Sequence, residues 1–259
     1  MWLYNLILIY IGVSKIIYEK KAKQFLFIQK TGDIKINSKK LYLIFSFLPL
    51  IVICALRSVN IGNDTDTYHY IYNLSRNTNF NLFIKNNSHR WEKGFLVLTK
   101  LLSSISDNPQ LLIAVSSVVS LFFVGRFIYL HSKKPALSIF LFITMRFYFF
   151  FMSNIRQSIA LGLILLSYDY IKKKKFIPFS IIIFIAAQFH TTAIIFFIAY
   201  FIDNIKFSKK YVLGLLSITC LAFVGFDTFI RIALRYAPGK YSNYVNTAYF
   251  TEAGNLANL

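Results

Sequence analysis

Apolar residues in this chain come in blocks of about the length that crosses a bilayer, and short basic runs separate them. A hydrocarbon core of roughly 30 Å takes about 20 residues of helix. Backbone amides that face lipid without a partner cost several kcal/mol each, so such a block crosses as helix. The pattern predicts an all-α, polytopic transmembrane helical bundle of about seven spans, with one or two partial or re-entrant helices. Residues 1–259 read as a single integral membrane domain, without repeat, linker or second soluble domain. Only 15% of residues are charged, whereas a soluble surface uses roughly 25%.

The net charge is +19, from 29 Lys and Arg against 10 Asp and Glu. In a soluble chain that excess would point to nucleic acid. Here much of it sits between apolar blocks, as KIIYEKKAKQ, HSKK, IKKKKF and FSKK. That is the pattern of cytoplasmic lysine-rich loops against an anionic inner leaflet, so the partner is the lipid bilayer and no nucleic acid is expected. Cys54 and Cys220 lie inside apolar blocks and report no redox compartment. No zinc spacing, P-loop or dinucleotide fingerprint occurs, so neither metal nor cofactor is expected.

Trp2 to Tyr18 is the first apolar block, and its lysines follow it rather than precede it. A signal peptide has the reverse order, so this is a retained helix with the N-terminus outside. Residues 24–40 then form an inside loop with a turn at Thr31-Gly32-Asp33. Leu41 to Leu56 crosses outward, with Pro49 in its interior. Residues 57–108 read as an extracytoplasmic loop region with short helices; its apolar stretch 94–106 is about 13 residues, too short to span. The next spans are Pro109 to Leu130, Ala136 to Met152, Ser158 to Ile171, Phe176 to Tyr200 and Tyr211 to Phe226. On this topology Lys206, Lys209 and Lys210 fall on the outer side, against the lysine rule.

Charged groups in a bilayer are expensive and usually functional. Arg57 closes the second block and is either a snorkelling interface residue or part of a site. Asn154, Arg156 and Gln157 concentrate polarity at the break between two spans, which favours binding. His190 sits in FIAAQFHTTAIIFF, as a packing histidine or a functional one. Asp64 and Asp66 in GNDTDTY read as an Asx turn, as sugar-binding or base groups, or as a metal-nucleotide site; the outer location argues against the last. Trp91, beside Glu92, either stacks on a sugar ring or anchors at the interface. His69 and His89 have no ligand spacing.

Four stretches together resemble the EpsG family of bacterial membrane proteins, itself similar to Wzy-type polysaccharide polymerases. They are ALRSVNIGNDTDTY (55–68), WEKGF (91–95), SNIRQSIA (153–160) and IAAQFHTT (185–192). By position, Arg57, Asp64, Tyr68, Glu92, Asn154, Arg156, Gln157 and His190 fall on the family's recurrent polar positions. Its members usually carry more C-terminal helices, so a shortened member is expected. The resemblance implies a multi-pass protein of the bacterial cytoplasmic (inner) membrane. It would polymerise oligosaccharide repeats carried on a polyprenyl diphosphate, for exopolysaccharide, capsule or O-antigen, beside other polysaccharide assembly proteins.

That chemistry needs positive charge for the diphosphate leaving group, which an Arg fork supplies. Arg156 is the first choice and Arg57 the second, with Tyr68, Trp91, Asn154 and Gln157 completing the binding set. The acceptor hydroxyl needs a base: Asp64, Glu92 or His190. Asn154 is expected to cap the helix that carries Arg156. The lipid diphosphate is already activated, so no cofactor is required. A lipid-linked oligosaccharide transporter and a non-enzymatic assembly subunit are the competing readings. A polymerase predicts that Arg57, Asp64 and Glu92 converge near Arg156.

Overall fold

The computed structural model describes residues 2–28, 38–62, 64–202 and 208–225. All regular structure among them is helical. The helices are α1 (Trp2–Ile28), α2 (Ser38–Ala55), α3 (Thr65–Arg76), α4 (Phe80–Asn87), α5 (Lys93–Ser103), α6 (Gln110–His131), α7 (Pro135–Thr144), α8 (Phe147–Ser153), α9 (Ile155–Lys172), α10 (Phe176–Ala187), a 3₁₀ helix (Thr191–Phe196), α11 (Phe197–Ile202) and α12 (Lys209–Val224). The chain divides into two compact units, 1–200 and 201–259, and α12 belongs to the second. The expected turn at 31–33 and the tail from 226 lie outside the described residues.

The expected all-α class is what the structure shows. Among the described residues, only α6 is long and apolar enough to cross a bilayer alone, or two such elements exist if α7 and α8 count as one bent span. Breaks at polar or left-handed positions divide two of the other blocks. The expected span from Ala136 to Met152 bends by 58° between α7 and α8, where Arg146 adopts φ +65°. The expected span from Phe176 to Tyr200 breaks after Ala187 into a 3₁₀ segment. The first helix runs on to Ile28, well beyond Tyr18. Pro49 sits inside α2 without ending it.

Helix α6 is the central element and packs on both α2 and α9. Small residues make that possible. Ser116, Ser117 and Ser120 are buried, and two of their hydroxyls bond back within the helix, Ser117 to Ile113 O at 2.7 Å and Ser120 to Ser116 O at 2.6 Å. A side chain on Gly162 of α9 would come within 2.9 Å of the Phe123 ring. One apolar cluster joins α2, α6, α7 and α8 around Leu50, Leu121 and Ile143; another joins α3, α5, α6 and the start of α9 around Tyr72, Phe95 and Leu112.

The two ends of this unit differ chemically. At one, Lys39 Nζ donates to Ser132 O (2.7 Å), which puts the start of α2 beside the end of α6. Asp169, near the end of α9, takes Arg126 (2.6 Å) and His131 (2.8 Å). At the other end, Gln110 Nε2 donates to Ala55 O at 2.6 Å and Arg57 O at 3.2 Å. Helices α3, α4 and α5 fill the stretch between α2 and α6. Tyr72 donates to Leu102 O or Ser106 O (2.9 and 2.7 Å). Lys100 Nζ donates to Ser75 O and Thr78 O (2.6 and 2.8 Å), where a cation meets the carbonyl end of α3. With 11 residues, α5 reaches only about 16 Å.

Candidate functional site

Glu92 occupies the cap position of α5, but its carboxylate makes no bond to its own helix. Oxygen Oε2 instead accepts from Arg156 Nη1 at 2.5 Å. Oxygen Oε1 faces Thr191, accepting from its hydroxyl at 3.2 Å and, at 3.5 Å, from its backbone N–H. The Glu92 side chain is 8% exposed and that of Arg156 24%. The Arg156 guanidinium lies 4.6 Å from the centre of the Trp91 ring, within cation–π range. Trp91 stacks on Phe95 with centroids 5.5 Å apart, and Tyr68 leans on both rings. The Tyr68 hydroxyl lies within electrostatic reach of Arg156. Burial pushes that phenol above its ordinary range, which outweighs the opposing pull of Arg156. Tyr68 therefore stays protonated.

Three chain breaks build this cluster. The first lies between α10 and the 3₁₀ helix, at Gln188-Phe189-His190. Gly94 presses directly on it: an added Cβ would meet Gln188 Cβ at 2.7 Å and Gln188 O at 2.8 Å. Phe95 N–H donates to Gln188 O at 3.3 Å. The WEKGF stretch thus reaches across to Thr191 because a glycine lets two backbones touch. The second break is Asn154, between α8 and α9. Gly62, at φ +96°, rests on it: a side chain there would come 3.1 Å from Ser153 Cα and 2.9 Å from Thr65 Oγ1. The third is the turn before α5 that carries Trp91 and Glu92.

Some expectations require correction. Asn154 does stand at the cap of α9, but its side chain does not cap; it donates back to Phe150 O at 3.4 Å. Its φ of −108° and ψ of 70° turn it away from the first helical N–H groups. Arg156 is the second residue of α9, as expected. Its carboxylate partner is Glu92, 64 positions earlier in the chain and one of the three groups expected near it. Arg57 does not snorkel. It is 4% exposed, and Nη1 donates to Cys54 O at 2.6 Å, with Cys54 Sγ and Ser117 Oγ at 3.4 Å. Its Nε and Nη2, and Nε of Arg156, have no hydrogen-bond partner among the described residues. His190 lies in the break, not inside a helix; its backbone N–H donates to Ala186 O at 3.0 Å and its carbonyl accepts from Ala193 at 2.9 Å.

Of the predicted residues, Tyr68, Trp91, Glu92 and Arg156 share one cluster, and Tyr68 also lies within electrostatic reach of Arg57. Asp64 heads α3 without a side-chain cap bond; its neighbour Asp66 accepts from Thr67 N–H at 2.7 Å instead. Gln157 follows Arg156 half-buried. Thr191, Gly94 and Gln188 have no assigned role on sequence grounds, although all three lie in or beside the quoted motifs. His69 lacks ligand spacing, yet its Nε2 is buried without a hydrogen-bond partner. Burial and then Arg57 push its pKa down, so the ring is neutral at pH 7. No group of three His, Cys, Asp or Glu side chains gathers among the described residues.

The arrangement can hold an anion. Arg156 stands in the first turn of α9, where backbone N–H groups lack helical acceptors, and its guanidinium is held by Glu92 and the Trp91 ring. A model of the EpsG family matches residues 40–259. No curated protein and no solved structure matches the chain.

Proposed function

The chain belongs to the EpsG family, and on that premise we propose that it is a multi-pass membrane glycosyltransferase. It polymerises oligosaccharide repeats carried on a polyprenyl diphosphate. The family indicates a membrane protein of polysaccharide biosynthesis. The apolar α6, the bent α7–α8 pair and the apolar helices on either side of His190 support a polytopic body. So do the outward apolar side chains of α2, α6 and α10, such as Leu48, Phe122 and Ile177. On this reading the end with Lys39, His131 and Asp169 faces the cytoplasm, and the Arg156 end faces outward.

The observation that carries the proposal is the Arg156 guanidinium on the Trp91 ring, paired with a nearly buried Glu92. A cation near a helix N-terminus is unfavourable alone. It becomes favourable when a diphosphate bonds both the fork and the backbone N–H groups. Diphosphate binding draws Arg156 from Glu92 and leaves that carboxylate beside Thr191, where it acts as base. The acceptor hydroxyl oxygen then bonds to the anomeric carbon and its proton passes to Glu92. The bond from that carbon to the diphosphate oxygen breaks, and the lipid diphosphate leaves with the electron pair, stabilised by Arg156. Arg57, buried and within electrostatic reach of Tyr68, adds positive potential.

Purified protein in liposomes, given a synthetic polyprenyl-diphosphate oligosaccharide, should yield a ladder of longer products on sizing. Translocation of the lipid-linked sugar without elongation would make it a transporter, and neither activity would leave an assembly subunit. The sidedness has its own check. A cysteine at exposed Ser88 should react with an impermeant reagent only from outside the cell. Labelling only from the cytoplasm would place the cluster on the wrong face for this chemistry.

A further inference from the structure

An apolar groove of about 320 Å³ runs between α2 and α6, at the end of the unit opposite Arg156. Leu43, Phe47 and Ile51 form one wall, and Leu121 and Phe122 the other. Gly125 opens the floor: a Cβ added there would stand 3.6 Å from the nearest Phe47 ring atoms. The outer lips, Leu48 and Phe122, are 55% and 60% exposed. Two cations, Lys40 and Arg126, line the same groove.

We propose that this groove binds one anionic glycerophospholipid, acyl chain between α2 and α6 and phosphate between Lys40 and Arg126. Three observations select that occupant. The lining runs from Lys40 to Ile51, about 16 Å along the helix, which is one leaflet of a roughly 30 Å core. The cations lie at the lysine-rich end, where a headgroup belongs. The cations Lys39, Lys40, Arg126, Lys133 and Lys134 stand at that end of α2 and α6, and Asp169 there serves both Arg126 and His131. Lys39 does not compete for the headgroup, since it is turned to Ser132 O at 2.7 Å and the Tyr129 ring at 5.6 Å. A second copy of the chain fits less well. A second copy packed two-fold on this groove would bring its own Lys40 and Arg126 to a face that already carries those two cations. The proposal does not depend on the transferase reading.

The test is competitive lipid retention by native mass spectrometry. Delipidated protein in detergent receives equal phosphatidylglycerol and phosphatidylcholine with identical acyl chains. One phosphatidylglycerol per chain should survive in preference to phosphatidylcholine. Lys40→Gln should lower that preference about fivefold, while Lys133→Gln, at an exposed lysine of the same end, should leave it unchanged. Gly125→Leu should fill the groove and remove the retained lipid of either kind; where that variant does not fold, Lys40→Gln decides. Equal retention of the two lipids would overturn the proposal, as would an equal effect of Lys40→Gln and Lys133→Gln. A lipid-free dimer that Gly125→Leu dissociates would assign the groove to self-association instead.

Discussion

Arg156→Lys should cut polymer formation by about 100-fold while the protein still inserts and accumulates. Lysine keeps the charge but loses the planar fork, and it cannot hold two phosphate oxygens while lying flat on Trp91. Losing one preorganised donor to a developing oxyanion costs about 100- to 1,000-fold in rate. The Glu92 pairing changes which variant is informative. Arg156→Ala would strand a carboxylate that is 8% exposed, and breaking a buried pair costs about 3–5 kcal/mol. Loss of polymer in that variant could therefore reflect misfolding. Arg156→Ala with Glu92→Gln removes both charges, so its protein level should recover while its polymer does not. Polymer length and protein amount, measured in all three, separate the roles. Normal polymer in Arg156→Lys would remove the phosphate-binding role, and full recovery of polymer in the double variant would make the pair structural.

The sequence makes legible which segments belong together, because polar residues between apolar blocks stand out against a lipid background. Arg57, Tyr68, Glu92, Arg156 and His190 all stand out that way. What it hides is pairing. A search for an acid near Arg156 along the chain finds none between Asp107 and Asp169, yet the partner lies 64 positions earlier. Sequence distance carries no information about a contact made through three separate breaks. The breaks themselves are half visible. Gln188 and His190 read as polar members of one long apolar run, since hydropathy averages over them; the close approach of Gly94 to the Gln188 backbone is visible only in the structure. Asn154 fails as a cap for a related reason. Residue type predicts a cap, but the Asn154 backbone angles decide whether the side chain can reach, and Gly62 lies against the adjoining Ser153.

Gly94→Ala tests that backbone contact without touching any group that carries charge. In an exposed helix, Gly to Ala stabilises by roughly 1 kcal/mol, so the sign of the effect is itself diagnostic. Here the new methyl would sit 2.7 Å from Gln188 Cβ and 2.8 Å from Gln188 O. Both atoms belong to or adjoin the backbone, so neither can swing aside as a flexible tip would. Overpacking of this kind costs about 1–3 kcal/mol and overrides the propensity gain. The relief available is for α5 to back away from the break, which breaks the bond from Phe95 N–H to Gln188 O and draws Glu92 from Thr191. Polymer formation should fall at least tenfold, because a displacement of about 1 Å at a catalytic group can cost 100-fold. Thermal unfolding in detergent should shift downward in parallel. Lys93→Ala, at the exposed neighbouring position, should do neither. Gln188→Gly placed in the Gly94→Ala background removes the nearer of the two clashes but keeps the carbonyl, so it should restore activity only in part. A Gly94→Ala protein with normal stability and normal polymer would mean that the α5 contact at the break does not hold Glu92 in place.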